Sequence, residues 1–193
     1  DNNMPLENVE RAIKRGSGEA GASNLTEMTL EGYGPNGVAV LVQALTDNRN
    51  RTIQDVRRLF VRHGSSLGES GCVAWLFESK GVITVGSSGS DAEEIALQAI
   101  DAGAEDVRTE KDYLEIYTAP ENMEKVKGSI EKGRHIISAE LSLVPKTTVL
   151  LDEDKAVQTL NFLDLLEELD DVQRVISNID FSDVTLERLR SQT

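Results

Sequence analysis

The stretch VITVGSSGSDAEEIALQAIDAGAEDVRTEKDYLEIYTAPENMEKVKGSIEKGRHIISAELSLV, residues 82–144, decides the fold. VITV is a strand by its β-branched run. Ser90 with Glu93 has the spacing of a capping box, and the helix it opens carries Ala92, Ile95, Ala96 and Ala99 on one face before Gly103 stops it. DVRT and YLEIYT follow as strands, joined by a tight turn at 110–112. Pro120 suits the start of a second helix, with Met123, Val126 and Ile130 on one face and Gly133 as its stop. Ile137, Ala139, Leu141 and Leu143 then alternate with Ser138, Glu140 and Ser142, the period of a strand with one buried face. The order β-α-β-β-α-β is the split βαβ, or ferredoxin-like, plan.

The flanks repeat that plan. GVAVLVQAL (37–45) is apolar on both faces and reads as a central strand. A helix over 52–63 follows, with Thr52 and Asp55 spaced as a capping box, then a strand VAWLF at 73–77. Beyond residue 144 come a short strand near 149–151, a helix over 154–169 and a strand over 172–178. Thr26, Met28 and Leu30 alternate with Glu27, Thr29 and Glu31 in one further half-buried strand. The expected class is α+β, with two ferredoxin-like domains of βαββαβ type. The second, 81–145, is inserted into the first, 24–80 with 146–193. Ahead of both, NMPLENVERAIKRG (3–16) reads as a helix with Val9, Ala12 and Ile13 on one face, and GSGEAGAS (16–23) as a linker. Residues 1–23 are therefore expected to be the remnant of a helical N-terminal domain, cut from something longer.

Charge is unevenly placed. The chain has 193 residues and a formal net charge of −14. Residues 1–63 hold eight basic and eight acidic side chains, so the whole excess lies beyond them. A field of that sign repels a phosphate backbone, and any nucleic-acid contact must come from a local basic surface. The densest is RNRTIQDVRRLFVRH (49–63), with five arginines and one aspartate. At about 100° per residue, Arg51, Asp55, Arg58 and Arg62 share one helix face, opposite Ile53, Val56, Leu59 and Phe60. A cation in the first turn opposes the helix dipole, so Arg49 and Arg51 need a carboxylate or an external phosphate as compensation. A solvated face is the ordinary reading of such a stripe, an anionic ligand the functional one.

Catalytic signals are weak. One cysteine, Cys72, excludes a disulfide framework and a four-thiolate zinc site, and His63 and His135 lack ligand spacing. No P-loop, G-x-S-x-G elbow or H-E-x-x-H occurs. EGYGPNG (31–37) contains G-x-G-x-x-G at Gly32, Gly34 and Gly37, but it lies between two expected strands, where no helix N-terminus would hold a pyrophosphate. Two readings stay open for it. One is a hairpin loop shaped by Gly34, Pro35, Asn36 and Gly37. The other is a recognition loop with bare backbone N–H groups and Tyr33 free to stack on a base.

EGYGPNGVAVLVQALTDNRNRT (31–52), LGESGCVAWLFESKGVI (67–83) and LEELDDVQRVISNID (166–180) resemble the YebC/PmpR family, as does the opening NMPLENVERAIKRG. The resemblance implies an N-terminal helical domain and two α/β domains, the last inserted in the second. It also implies a basic segment around GHSKW ahead of residue 1. The family's functions as implied are DNA-binding transcriptional regulation and, in an organellar branch, translational activation, with links to the ribosome. The family-like positions are Gly32, Tyr33, Gly34, Pro35 and Gly37, with Asp47, Asn48, Arg49, Asn50, Arg51 and Thr52; Asn36 stands where glycine is common.

These readings converge on a non-enzymatic regulator of gene expression, a DNA-binding transcriptional regulator. Its candidate contacts are Arg49, Arg51, Arg58, Arg62, Tyr33, Asn48, Asn50, Lys14 and Arg15, with the loop Gly32, Gly34, Pro35 and Gly37. No metal or cofactor is expected. The expected partner is promoter DNA or, alternatively, ribosomal RNA in a ribosome-associated translation factor; no membrane contact is expected, and no oligomeric state follows. The expected compartment is the cytoplasm, with a mitochondrial or plastid matrix as alternative. Two further alternatives are a small-molecule-sensing module with an apolar pocket between the two α/β units and a metal-dependent phosphoryl-handling enzyme or nuclease. The latter requires carboxylates of 152–171 to converge.

Overall fold

The computed structural model describes residues 25–87, 91–131 and 134–182. The expected first helix, Lys14, Arg15, Ser90 and Gly133 lie outside the described residues. Those residues form two compact units. The first runs to Ser70 and resumes at Glu153–Val175; the second is Gly71–Asp152 with the residues from Ile176 on.

The second unit carries the β-α-β-β-α-β order: β4 (Phe77–Gly86), α2 (Ala92–Ala102), β5 (Asp106–Thr109), β6 (Tyr113–Thr118), α3 (Met123–Ile130) and β7 (Ile136–Pro145). Its sheet runs β5-β6-β4-β7, with every neighbour antiparallel. Numbering these strands one to four, the order is two-three-one-four, the ferredoxin-like arrangement. Ile83, Val85, Leu114 and Ile116 of the sheet pack with Ile95 and Ala99 of α2 and Val126 and Ile130 of α3, all fully buried. Gly103 ends α2 at φ 113°, a left-handed cap that glycine adopts without a Cβ penalty. The alternation expected in β7 is broken. Thr84 pairs with Ser138 but Val85 with Ile136, so Ile137 is the extra residue of a bulge and stands in solvent while Ile136 takes its inward place.

The first unit contains β1 (Thr26–Tyr33), β2 (Ala39–Thr46), α1 (Arg49–Arg62), β3 (Ser66–Leu67), α4 (Glu153–Glu167) and all but the last two residues of β9 (Val172–Ser177), with sheet order β3-β1-β2-β9. The spatial slots match those of the second unit, but the chain fills them in another sequence. β2, α1 and β3 occupy strand one, helix and strand two; β1 occupies the third slot, and α4 with β9 closes the plan. Two expected strands therefore fall elsewhere. Residues 73–77 are no strand of this unit: Ala74–Leu76 is a single 3-10 turn and Phe77 begins β4. β8 (Val149–Leu151) pairs in parallel with β10 (Ile179–Phe181) in a separate two-stranded sheet. The β1–β2 hairpin gives the physical reason: β1 holds the third slot through eight consecutive residue pairs at short sequence distance.

In the first unit α1 and α4 meet through Phe60 and Phe162, both fully buried, with ring centroids 5.0 Å apart at 90°. A side chain at Gly32 would come within 2.6 Å of both Phe60 and the Ser66 carbonyl, and one at Gly34 within 3.0 Å of Phe162. Those two glycines let the aromatic pair and β3 sit against the end of β1.

Candidate nucleic-acid interface

Helix α1 begins three residues before the expected start. Asn48 is its N-cap, its side-chain oxygen accepting from the Arg51 N–H at 3.1 Å. Thr52 is consequently an interior residue and no cap. It is buried, and its hydroxyl lies 2.8 Å from Asp171 Oδ2 and 2.9 Å from Thr46 Oγ1. Thr46, also buried, donates to Asp171 Oδ2 at 3.1 Å.

Arg51 completes this cluster. Its Nη2 donates to Asp171 Oδ2 at 2.8 Å, to Asp171 Oδ1 at 3.0 Å and to Asp47 Oδ1 at 2.8 Å. Hydrogen bonds to Asp171 and Asp47, with the charges of both, hold the guanidinium above its ordinary value. Burial pushes the Asp171 carboxyl up, yet the hydrogen bonds from Arg51, Thr52 and Thr46 and the Arg51 charge outweigh it and leave the group below the usual aspartate value. The compensation that a cation in the first turn requires is thus internal for Arg51. The partner, 120 residues away in sequence, carries no local signal.

The rest of the stripe differs. Arg58 has an exposed side chain, 75% accessible, and its one carboxylate neighbour among the described residues is Asp55 at 3.6 Å. Arg49 and Arg62 are exposed and have no carboxylate partner among the described residues, and the same holds for Arg57, which the stripe reading passed over. Val61, 67% accessible, and Gln54 are exposed between these arginines. A helical wheel extended past the stripe finds all three. His63 ends the helix, its Nδ1 2.9 Å from the Leu59 carbonyl and its ring packed on Phe162.

The glycine loop is a closed turn. Asn36 and Gly37 take positive φ, 61° and 77°, and the N–H groups of Gly34, Gly37 and Val38 donate to Val38, Gly34 and Pro35 carbonyls. No helix follows it, so a pyrophosphate cradle is absent, and three of its donors are already used. The Asn36 amide nitrogen reaches the Lys155 carbonyl, Gln158 Oε1 and Thr159 Oγ1 at 3.1–3.4 Å, fixing the turn to α4. Tyr33 is exposed, 41% accessible. Since Gly32 is directed at Phe60 of α1, alternation along the strand turns Tyr33 to the opposite face of the sheet. Tyr33 and the arginines of α1 therefore do not form one surface.

Among the described residues no three His, Cys, Asp or Glu side chains gather as a metal site, and no helix is long and apolar enough to cross a membrane. An open cleft of about 460 Å³ lies in the first unit, lined by Arg51, Thr52, Asp55 and 168–171. Its lining is mostly charged.

Comparison with known proteins places this architecture. Residues 25–179 match the family model described as TACO1/YebC second and third domain. The chain is 56% identical, over its full length and 77% of the relative's, to a protein of Dehalococcoides mccartyi strain CBDB1 named a probable transcriptional regulatory protein. A Thermotoga maritima protein of the same name is 48% identical over 98% of this chain and 76% of its own length. Among solved structures, a conserved hypothetical protein from Aquifex aeolicus superposes with a TM-score of 0.76 at 48% identity, over 94% of this chain and 75% of that one. With the family model matched over most of its length and relatives this similar, the chain belongs to the TACO1/YebC family.

Proposed function

We propose that the protein is a non-enzymatic regulator of gene expression that binds promoter DNA in the cytoplasm through the outer face of α1. The observation that carries this reading is the contrast within one helix. Arg51 is satisfied by Asp47 and Asp171, whereas Arg58 and Arg62, joined by Arg57, point their charge outward from a chain of net −14, and Arg49 is exposed at the helix start. A cationic strip retained on an anionic body suits a polyanionic partner. The relatives' names, probable transcriptional regulatory proteins, agree with it. Asn50 is exposed on the same helix and adds an amide to the contact set, while Asn48 and Arg51 serve chiefly to build and hold the helix start.

Ribosomal RNA is a second reading, favoured by the acidic excess beyond residue 63. A body of that charge is repelled by long bare duplex and better tolerated where basic proteins already screen the phosphates. Binding of duplex DNA and of ribosomes across a salt series separates the two. Changing Arg58 and Arg62 together to Ala is expected to weaken binding to the true partner and lower the log–log salt slope by about two. Unchanged affinity for both partners would overturn the reading.

A further inference from the structure

We propose that α1 is a major-groove recognition helix, with Gln54 and Val61 reading base edges, Asn50 extending the row, and arginines on either side holding the two phosphate strands. This rests on the DNA-binding reading above and deepens it.

The buried side chains Thr52, Val56 and Phe60 fix which way the helix faces. On the opposite side, at about 100° per residue, Asn50, Val61 and Gln54 fall within a strip about 40° wide. Arg57 lies about 40° to one side of its midline, Arg58 and Arg62 about 60° and 100° to the other. All six are exposed. The strip is therefore a row of amides and one aliphatic side chain between two cationic margins.

Each part has a chemical counterpart in B-form DNA. A Gln or Asn amide offers a donor and an acceptor spaced for adenine N6 and N7, and an aliphatic side chain contacts the thymine methyl group. Guanidiniums at the margins neutralise phosphates and fix register without reading sequence. Gln54 and Val61 are seven residues apart, about 10 Å along the axis, or roughly three base-pair steps. The target class is consequently a short duplex site containing A·T pairs. Duplex RNA does not fit, because the A-form major groove is too deep and narrow for side chains to read.

The test is selection of bound sites from a random duplex pool by the full chain and by Gln54→Ala, Val61→Ala and the double variant Arg58→Ala/Arg62→Ala. All four positions are exposed, so the variants keep the fold. The wild-type chain is expected to select a short A·T-containing motif. Gln54→Ala is expected to lose about tenfold of its preference at one adenine. Replacing thymine by uracil in the selected site is expected to cost the wild type about fourfold, the worth of one methyl group, and to cost Val61→Ala nothing. The arginine pair is expected to weaken all sequences alike. If the arginine pair weakens binding while Gln54→Ala and Val61→Ala keep the wild-type preference, or if no motif is selected, the helix grips backbone only: this inference falls and DNA binding stands. Binding to ribosomes without binding to duplex overturns the inference as well, and an arginine pair with unchanged affinity for every partner overturns both.

Discussion

Along the face of α1 that carries Arg51, Arg58 and Arg62, the two ends use the same residue in opposite ways. In the first turn Arg51 is tied to Asp171, a buried carboxylate from the other end of the unit's chain, and closes a cluster with Thr46 and Thr52. Two and three turns on, Arg58 and Arg62 lie in solvent, and what fixes that end is Phe60 on Phe162 with His63 as cap. A guanidinium held by internal carboxylates belongs to the fold, and one left outward on an acidic chain is available to a ligand. Residue type and helical face are shared; the buried carboxylate of Asp171 makes the difference.

The largest test of this contrast removes the packing that supports the outward end. Phe60→Ala deletes a fully buried ring and its edge-on partner contact, and is expected to lower stability by about 3–5 kcal/mol in urea denaturation. Asp171→Ala removes the carboxylate that two buried hydroxyls and Arg51 share, leaving Arg51 to Asp47 alone, and is expected to cost about 2–3 kcal/mol in the same measurement.

The Asp171 carboxyl also makes stability depend on acid. Its value in the folded chain lies below the ordinary aspartate value, near 4, that the unfolded chain shows. The stability it contributes is therefore fully present above about pH 4 and lost as pH falls through the lower, folded value. Denaturation midpoints between pH 5 and pH 2 should fall less steeply in Asp171→Asn than in the wild type; parallel curves would place the linkage on other carboxylates. Smallest of all, Arg62→Ala is expected to change stability by less than about 0.5 kcal/mol. A larger loss would mean that this arginine also belongs to the fold, and the contrast between the helix ends would disappear.

Legibility followed the distance over which each decision was made. The second unit could be read from sequence because its strands and helices are long enough to show their periods, and its caps and turns lie beside them. Even there Ile137 was placed inward, because a bulge is set by the pairing of Thr84 and Val85 and leaves no mark on the β7 pattern. In the first unit, β3 has two residues, too few for any period, while VAWLF at 73–77 has the composition of a strand and forms a 3-10 turn that leads into β4. The closed glycine turn was half legible. Its residues announced a turn, but the fastening of Asn36 to α4 joins positions about 120 apart in sequence.

The sequence alone determined the α+β class, the ferredoxin-like order of residues 82–144 and the cationic face of 49–63, because periodicity, capping and charge act within a few residues. Tertiary structure alone decided that β1 fills the third slot of the first sheet, that Asp171 takes Arg51 into the fold, and that Tyr33 and the arginines of α1 face apart. Those outcomes depend on which distant side chains come within a few ångströms of one another, and no local pattern in the chain encodes that.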